Sequence, residues 1–286
     1  MRSLPLPAAL VEQARAYAAG SATPAEPRNA ATVVLLRPGP AGRGPQVYLL
    51  QRQTSMAFAG GMCVFPGGGV DPRDFDTEVA WAGPDAATWA YRLGTDEATA
   101  RALVCAAVRE TFEESGVLLA GEHADDVVAD TTGEDWEADR VALEGRELSL
   151  TEFLNRRGLV LRTDLLGAWA GWLTPVFEPR RYRTWFFVAD LPEGQRARDV
   201  SSESSRVTWL PAADAVAAVD EERMLMLPPT YLTCLELSEH TGPGEVLESA
   251  AARTVEMFTP EVVGDGDQFT LSRPPHLEPL LARHLG

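Results

Sequence analysis

Apolar residues concentrate in two short blocks, 31–37 and 46–52, with the Gly/Pro-rich segment 38–45 between them. This pattern predicts two strands joined as a hairpin. A further apolar run at 62–65 predicts a strand leading into Phe65-Pro66-Gly67-Gly68-Gly69, where glycine lets the backbone approach a ligand closely or take positive φ. From 95 to 115 the period becomes helical. Ala98, Ala102, Val104, Cys105 and Val108 supply an apolar stripe, and Gly116 suits the C-terminus. The stretch before this helix holds Trp81, Trp89, Tyr91 and Gly83-Pro84 among acids, predicting a short helix and loops. Residues 121–147 are acidic with few large apolar side chains, predicting a partly mobile surface excursion. Strand patterning returns at 167–174, 184–190 and 206–210, and helices are predicted at 211–220, 228–240 and 245–258. No internal repeat is visible. Periodicity alone supports an α/β or α+β class.

Composition narrows the functional classes. The 286 residues are 45% hydrophobic, ample for a sizeable core in one elaborated domain or two small ones. No run of about 18 apolar residues occurs, which predicts no membrane span. Residues 1–20 mix Pro, Glu, Gln and Arg where a secretory leader would be apolar, so a cytoplasmic address is expected. Cys63, Cys105 and Cys234 are far apart among apolar neighbours and read as buried free thiols. His123, His240, His276 and His284 are scattered and are assigned no metal. A net charge of −17 argues against nucleic-acid binding through a general basic surface. It leaves open a small phosphorylated substrate, met by local arginines and a cation. All 25 basic residues are arginine.

The chemistry is concentrated in Arg109-Glu110-Thr111-Phe112-Glu113-Glu114-Ser115-Gly116. Residues three and four apart share a helix face, so Glu110, Glu113 and Glu114 converge on one patch. Like charges so placed repel. A hard divalent cation, Mg2+ or Mn2+, explains the arrangement, whereas a solvated acidic face is the plainer alternative. No serine lies in a nucleophile-elbow motif, and Gly67 to Gly69 lack the lysine of a phosphate-binding P-loop.

Together, the glycine loop and the acidic turn resemble the Nudix hydrolase family. Its box runs Gly, five residues, Glu, seven residues, then Arg-Glu-aliphatic-any-Glu-Glu-any-Gly-aliphatic. The second half matches at every charged and glycine position. Three departures stand out: Gly68 plus five residues reaches Asp74 rather than Glu, Thr111 takes an aliphatic position, and the seven-residue spacer has become the 34 residues 75–108. The resemblance implies an α/β/α sandwich with a mixed sheet, a helical insertion and a helical C-terminal extension. It divides the chain into an N-terminal segment 1–29, a Nudix domain 30–222 with insertions at about 75–100 and 120–165, and an extension 223–286 packed on the same domain.

A finer likeness is to the coenzyme A diphosphatase-like branch, through Trp172-Leu173-Thr174-Pro175 and Arg181-Tyr182-Arg183-Thr184-Trp185-Phe186-Phe187. Coenzyme A hydrolases also carry an arginine, glycine and Phe-Pro-Gly-Gly at the spacing of Arg52, Gly61 and Phe65; their second arginine falls on Ala57 here. The resemblance implies metal-dependent hydrolysis of a pyrophosphate in a nucleoside diphosphate derivative. Coenzyme A or acyl-CoA is expected first, with ADP-ribose, NADH or a dinucleotide as alternatives. A non-catalytic nucleotide-binding module is the competing class. In this reading Glu110, Glu113 and Glu114 hold metal, Glu203 is the general base, and Arg109 braces one glutamate by a bidentate contact. Arg52, Gly67, Gly68, Arg181 and Arg183 bind substrate, the last two being surface residues in the plainer reading. The expected partners are a small phosphorylated molecule and no nucleic acid or membrane. The family leaves room for a homodimer, for which no stripe here marks an interface.

Overall fold

In β1 (Arg28–Pro38), Ala31, Val33 and Leu35 face one hydrophobic core while Val34 and Leu36 face another, all five fully buried. A strand buried on both faces reads as a continuous apolar run, and β1 lies inside the sheet. The computed structural model describes residues 8–20, 23–55, 59–265 and 268–286; Ala57 and the first seven residues lie outside that range. β1 pairs with β2 (Pro45–Arg52) only through Leu36 to Pro38, as the predicted hairpin requires. Its first half pairs instead with β4 (Gly67–Gly69), so the glycine segment is itself a strand edge beside Ala30 to Thr32. None of these three glycines has positive φ. The short β3 (Cys63–Val64) joins β2.

On its other side β1 runs parallel to β9 (Tyr182–Asp190), which pairs with β8 (Gly167–Leu173); β10 (Ser204–Pro211) flanks β2. The main path is β10-β2-β1-β9-β8-β11, where β11 (Met257–Phe258) runs parallel to β8. The sheet is therefore mixed, and helices cover both faces.

One face is covered by α3 (Glu97–Ser115). Asp96 caps its start by accepting the Thr99 amide at 2.9 Å, and Gly116, at φ 71°, ends it by donating to Phe112 O. Sheet, α2 (Ala86–Leu93) and α4 (Glu134–Glu144) enclose α3, so it is buried on almost every side. The two predicted insertions meet: β7 (Val160–Arg162) takes β5 (Trp81–Ala82) on one side and β6 (Ala120–Gly121) on the other.

Two expectations are corrected. Segment 121–147 is not a loose excursion, because Trp136 of α4 packs edge-on against Phe112 and against Phe153 of α5 (Leu150–Arg157), at centroid distances of 6.5 and 6.1 Å. Thr131, Arg140 and Leu143 are buried with it. The C-terminal extension is not wholly helical either. α6 (Ala212–Asp220), α7 (Pro228–Leu237), α8 (Pro243–Ala251) and α9 (Glu278–Leu285) cover the Val34 face. The helix expected over 245–258, however, stops at Ala251, and Met257–Phe258 extends the sheet with Phe258 set edge-on to Trp172 at 5.4 Å. A hairpin of β12 (Val262–Asp265) and β13 (Gln268–Leu271) follows, and α1 (Ala8–Ala18) sends Arg15 over the Phe269 ring. Cys63, Cys105 and Cys234 are buried and free. No helix among the described residues is long and apolar enough to cross a membrane.

Candidate active site

The glycines of β4 are needed for close approach. A Cβ on Gly67 would fall 2.5 Å from Ala31 O, and one on Gly68 would fall 2.5 Å from the Glu110 carboxylate. Gly67 donates its amide to Glu114 Oε2 at 2.7 Å. The glycine strand thus lies directly against two of the three acids of the α3 turn.

Arg109 is the hub of the site. It is buried, and its Nε and Nη2 make a bidentate contact with Asp74 at 3.0 and 2.9 Å. Nη1 reaches Glu110 Oε1 at 2.7 Å and Glu113 Oε1 at 3.2 Å, while Nη2 also donates to Gly69 O. The expected brace is therefore corrected in its partner: the fork holds Asp74, and the glutamates receive single bonds. Burial alone would lower the Arg109 pKa, but hydrogen bonding to Asp74 and the charges of Glu110, Asp74 and Glu113 hold it raised. Asp74, the buried last residue but one of the turn Pro72–Phe75, also accepts the Asp71 amide. It occupies the position where the Nudix box has its upstream glutamate.

All three helix glutamates resist ionisation. Burial raises the Glu110 pKa, with Arg109 opposing and Asp74 and Glu203 adding to the rise. Burial and then the charge of Glu110 push Glu113 up to about 7. Glu114 is raised well above the usual range by burial and Glu110; the Gly67 amide and Arg52 oppose this, and Glu203 reinforces it. Glu203 arrives from the loop before β10 with its side chain 49% exposed and pairs with Arg52 Nη2 at 2.9 Å. Arg52 Nε is buried without a hydrogen-bond partner.

The end of α3 carries carboxylates where the helix dipole is negative, and cationic or polar groups compensate. Arg140 donates to Glu113 O at 2.6 Å, the Arg198 amide to Ser115 O at 2.8 Å, and the Thr131 hydroxyl to Gly116 O at 2.6 Å. Tyr48 faces the same region, its pKa raised by burial and by Asp199 and Glu114.

Among the described residues, no three His, Cys, Asp or Glu side chains stand ready to hold a metal ion. In this arrangement Glu110 is turned onto Arg109 and Glu114 onto the Gly67 amide. The donor set nonetheless suits a hard divalent cation: mutually repelling carboxylate oxygens lie beside a glycine cradle with no competing thiol or imidazole. A cation at this point would offset the cost of burying charge and the mutual repulsion that hold their pKa values up.

Of the sequence-predicted residues, Arg52, Gly67, Gly68, Arg109, Glu110, Glu113, Glu114 and Glu203 are brought together. Arg181 is not, because its guanidinium is bound to Thr174 O and Ala25 O, both at 3.1 Å. Arg183 pairs in register with Asn29 and donates to its Oδ1 at 3.2 Å, one position before the Ala30 that faces Gly69, and lies on the face shared with Trp185 and Phe187. Trp185 is core, donating its indole N–H to Leu93 O. Sequence reasoning passed over Asp74 as a partner of Arg109, although its spacing from Gly68 marks it. It also passed over Arg140 and Arg198, which no local motif marks.

The model of the NUDT19 Nudix domain matches residues 95–237, half of the chain. Putative nudix hydrolase 7 of Caenorhabditis elegans is 27% identical over 68% of this chain; the match spans 56% of the worm protein, little over half its length. Acyl-coenzyme A diphosphatase NUDT19 of Gallus gallus is 24% identical, with 80% of this chain and 72% of the relative covered. The crystal structure of a NUDIX hydrolase from Alicyclobacillus acidocaldarius superposes with a TM-score of 0.67 at 24% identity, covering 78% of this chain and 96% of that one. That last likeness establishes the mixed-sheet fold.

Proposed function

The chain belongs to the Nudix hydrolase family, and from that premise we propose that it hydrolyses the pyrophosphate linkage of a nucleoside diphosphate derivative, coenzyme A or an acyl-CoA foremost. The carrying observation is the meeting of Glu110 and Glu114 with the Gly67–Gly68 edge, with Arg52 at the end of β2 and Glu203 in the loop before β10 beside Glu114. The coenzyme A reading is supported by the spacing of Arg52, Gly61 and Phe65 and by the name of the Gallus gallus relative. We take 30–222 as the catalytic unit, with α7, α8 and α9 of 223–286 packed on its opposite sheet face.

Glu110, Glu113 and Glu114 would hold a divalent cation, Mg2+ or Mn2+. Such an ion, when bound, neutralises phosphate oxygens and lowers the pKa of water. The remaining roles fall to the chain. Gly67 and Gly68 keep the strand edge free of side chains, so that a diphosphate can lie against it. Arg52 supplies positive charge beside Glu114 and Glu203. Glu203, outside the helix and half exposed, is the acid best placed to accept a proton from the attacking water. No covalent enzyme intermediate is required, and the products are two phosphomonoesters.

The test is hydrolysis of coenzyme A, acetyl-CoA, ADP-ribose, NADH and diadenosine polyphosphates with Mg2+ or Mn2+, against an EDTA control. Metal-dependent release of 3',5'-ADP and phosphopantetheine is expected. AMP from another compound would move the substrate assignment, and silence across the panel with retained nucleotide binding would indicate a binding module.

A further inference from the structure

Glu203 stands on a short loop beside the like charges of Glu110 and Glu114; Arg52 pairs with its carboxylate, and further contacts hold the main chain of the loop. The holder is visible in α4. Glu137, Arg140 and Glu144 are spaced three and four apart and therefore share one helix face. Arg140, buried at the centre, binds Glu137 Oε1 through Nε and Nη2 at 2.9 and 2.7 Å, Glu144 Oε2 at 3.0 Å, and the main-chain oxygen of Glu113 at 2.6 Å. The two outer acids each reach one end of the loop. Glu137 Oε2 accepts from Arg198 Nη1 at 2.9 Å, and Glu144 Oε1 accepts from both the amide and the hydroxyl of Ser202, at 2.9 and 2.6 Å.

Neighbouring strands complete the hold. Tyr48 donates its hydroxyl to Arg198 O at 2.6 Å, the Arg198 amide bonds Ser115 O, and Gln53 bonds the main-chain oxygens of Ser202 and Glu203. The same helix is thus tied through Arg140 to the acidic turn of α3, and through Glu137 and Glu144 to both ends of the loop carrying Glu203.

We propose that Glu137, Arg140 and Glu144 are positioning residues for the reaction: they form a brace that fixes Glu203 relative to Glu110 and Glu114 against mutual repulsion. This gives a role to the segment 121–147 and rests on the reading of Glu203 given above. The Glu144–Ser202 contact acts on the loop of Glu203, whereas Arg140 acts on α3 through Glu113 O, so the effect of losing the Ser202 contact must vanish when the Glu203 carboxylate is absent.

The experiment compares Glu144→Ala, Glu144→Gln, Glu203→Gln and the double variant E144A/E203Q. The readouts are coenzyme A hydrolysis with Mn2+ and backbone amide exchange of the metal-free protein. E144A is expected to lower kcat roughly ten- to a hundredfold with little change in KM, as a displaced catalytic group does, and to speed exchange in 199–205 while α3 stays protected. E144Q retains Oε1 as acceptor for Ser202 and should recover most of the rate. In the E203Q background E144A should add nothing. Ser202→Ala, which cuts the loop-side hydroxyl contact without touching α4, should show the same dependence on Glu203 if E144A does not fold. Wild-type rate and exchange in E144A, an equal further loss in E144A/E203Q, or faster exchange spread through α3 would each overturn the brace. An unchanged rate in E203Q alone would overturn the role of Glu203 itself, and the brace with it.

Discussion

Gly68 and Glu110 stand so close that a Cβ on residue 68 would overlap the Glu110 carboxylate at 2.5 Å. Between them in sequence lies the long spacer 75–108, yet α2 and the β5-β7-β6 sheet fold it aside and leave strand edge and helix in contact. Arg109 completes the junction by bonding Gly69 O, Asp74 and Glu110 together.

Substitutions at the two glycines should therefore separate fold from function. In Gly68→Ala the obstacle is the mobile end of a glutamate, so the protein should fold with near wild-type stability while kcat falls roughly a hundredfold, as displaced catalytic groups do. In Gly67→Ala the obstacle is Ala31 O, a main-chain atom, and overpacking of that kind costs about 1–3 kcal/mol. Chemical denaturation and turnover of both variants check this; equal stability loss in the two would contradict the geometry.

Removing one member of the Arg109–Asp74 pair should be severe. Both side chains are buried, and breaking a buried pair costs about 3–5 kcal/mol because the remaining charge is uncompensated. Arg109→Met leaves Asp74, Glu110 and Glu113 facing one another, so its loss should exceed that of Asp74→Asn when urea midpoints are compared at pH 7.5.

The sequence made the acidic turn, the glycine strand and most of the central strands legible because each is a local pattern: a helical spacing of acids, a glycine run, and apolar blocks bounded by turns. Segment 121–147 was misread because its burial depends on Trp136 finding Phe112 and Phe153, and on Arg140 finding a carbonyl 27 residues away. Neither contact leaves a local trace. Arg181 misled for the converse reason: an arginine beginning a strand looks free in sequence, and only tertiary structure reveals the two carbonyls that bind it.

Glu114→Gln should abolish most turnover while leaving the fold intact. Burial and Glu110 disfavour the charged form of Glu114, so the neutral amide relieves a strain of the metal-free protein at neutral pH. The variant should accordingly melt higher than wild type in EDTA and gain less from Mn2+. Thermal melts with and without the ion decide this, and a lower melting temperature in EDTA would contradict it.

The pH dependence of metal-free stability has a definite sign. Glu113 titrates near 4.5 in an unfolded chain and near 7 in the folded one, raised first by burial and then by Glu110. Below pH 4.5 both states hold the proton, so the group has no effect. Between 4.5 and 7 the unfolded chain releases it while the folded protein retains it, so stability falls as pH rises and levels off above 7. Wild type and Glu113→Gln should thus be equally stable near pH 4, with wild type the weaker by about 3 kcal/mol at pH 7.5, the free-energy equivalent of that shift. Denaturation in EDTA across this range measures the difference. Saturating Mn2+ should reverse its sign, because an ion held by the carboxylates favours their charged form. A difference that stays flat from pH 4 to 7.5 would show that folding leaves the Glu113 titration unshifted.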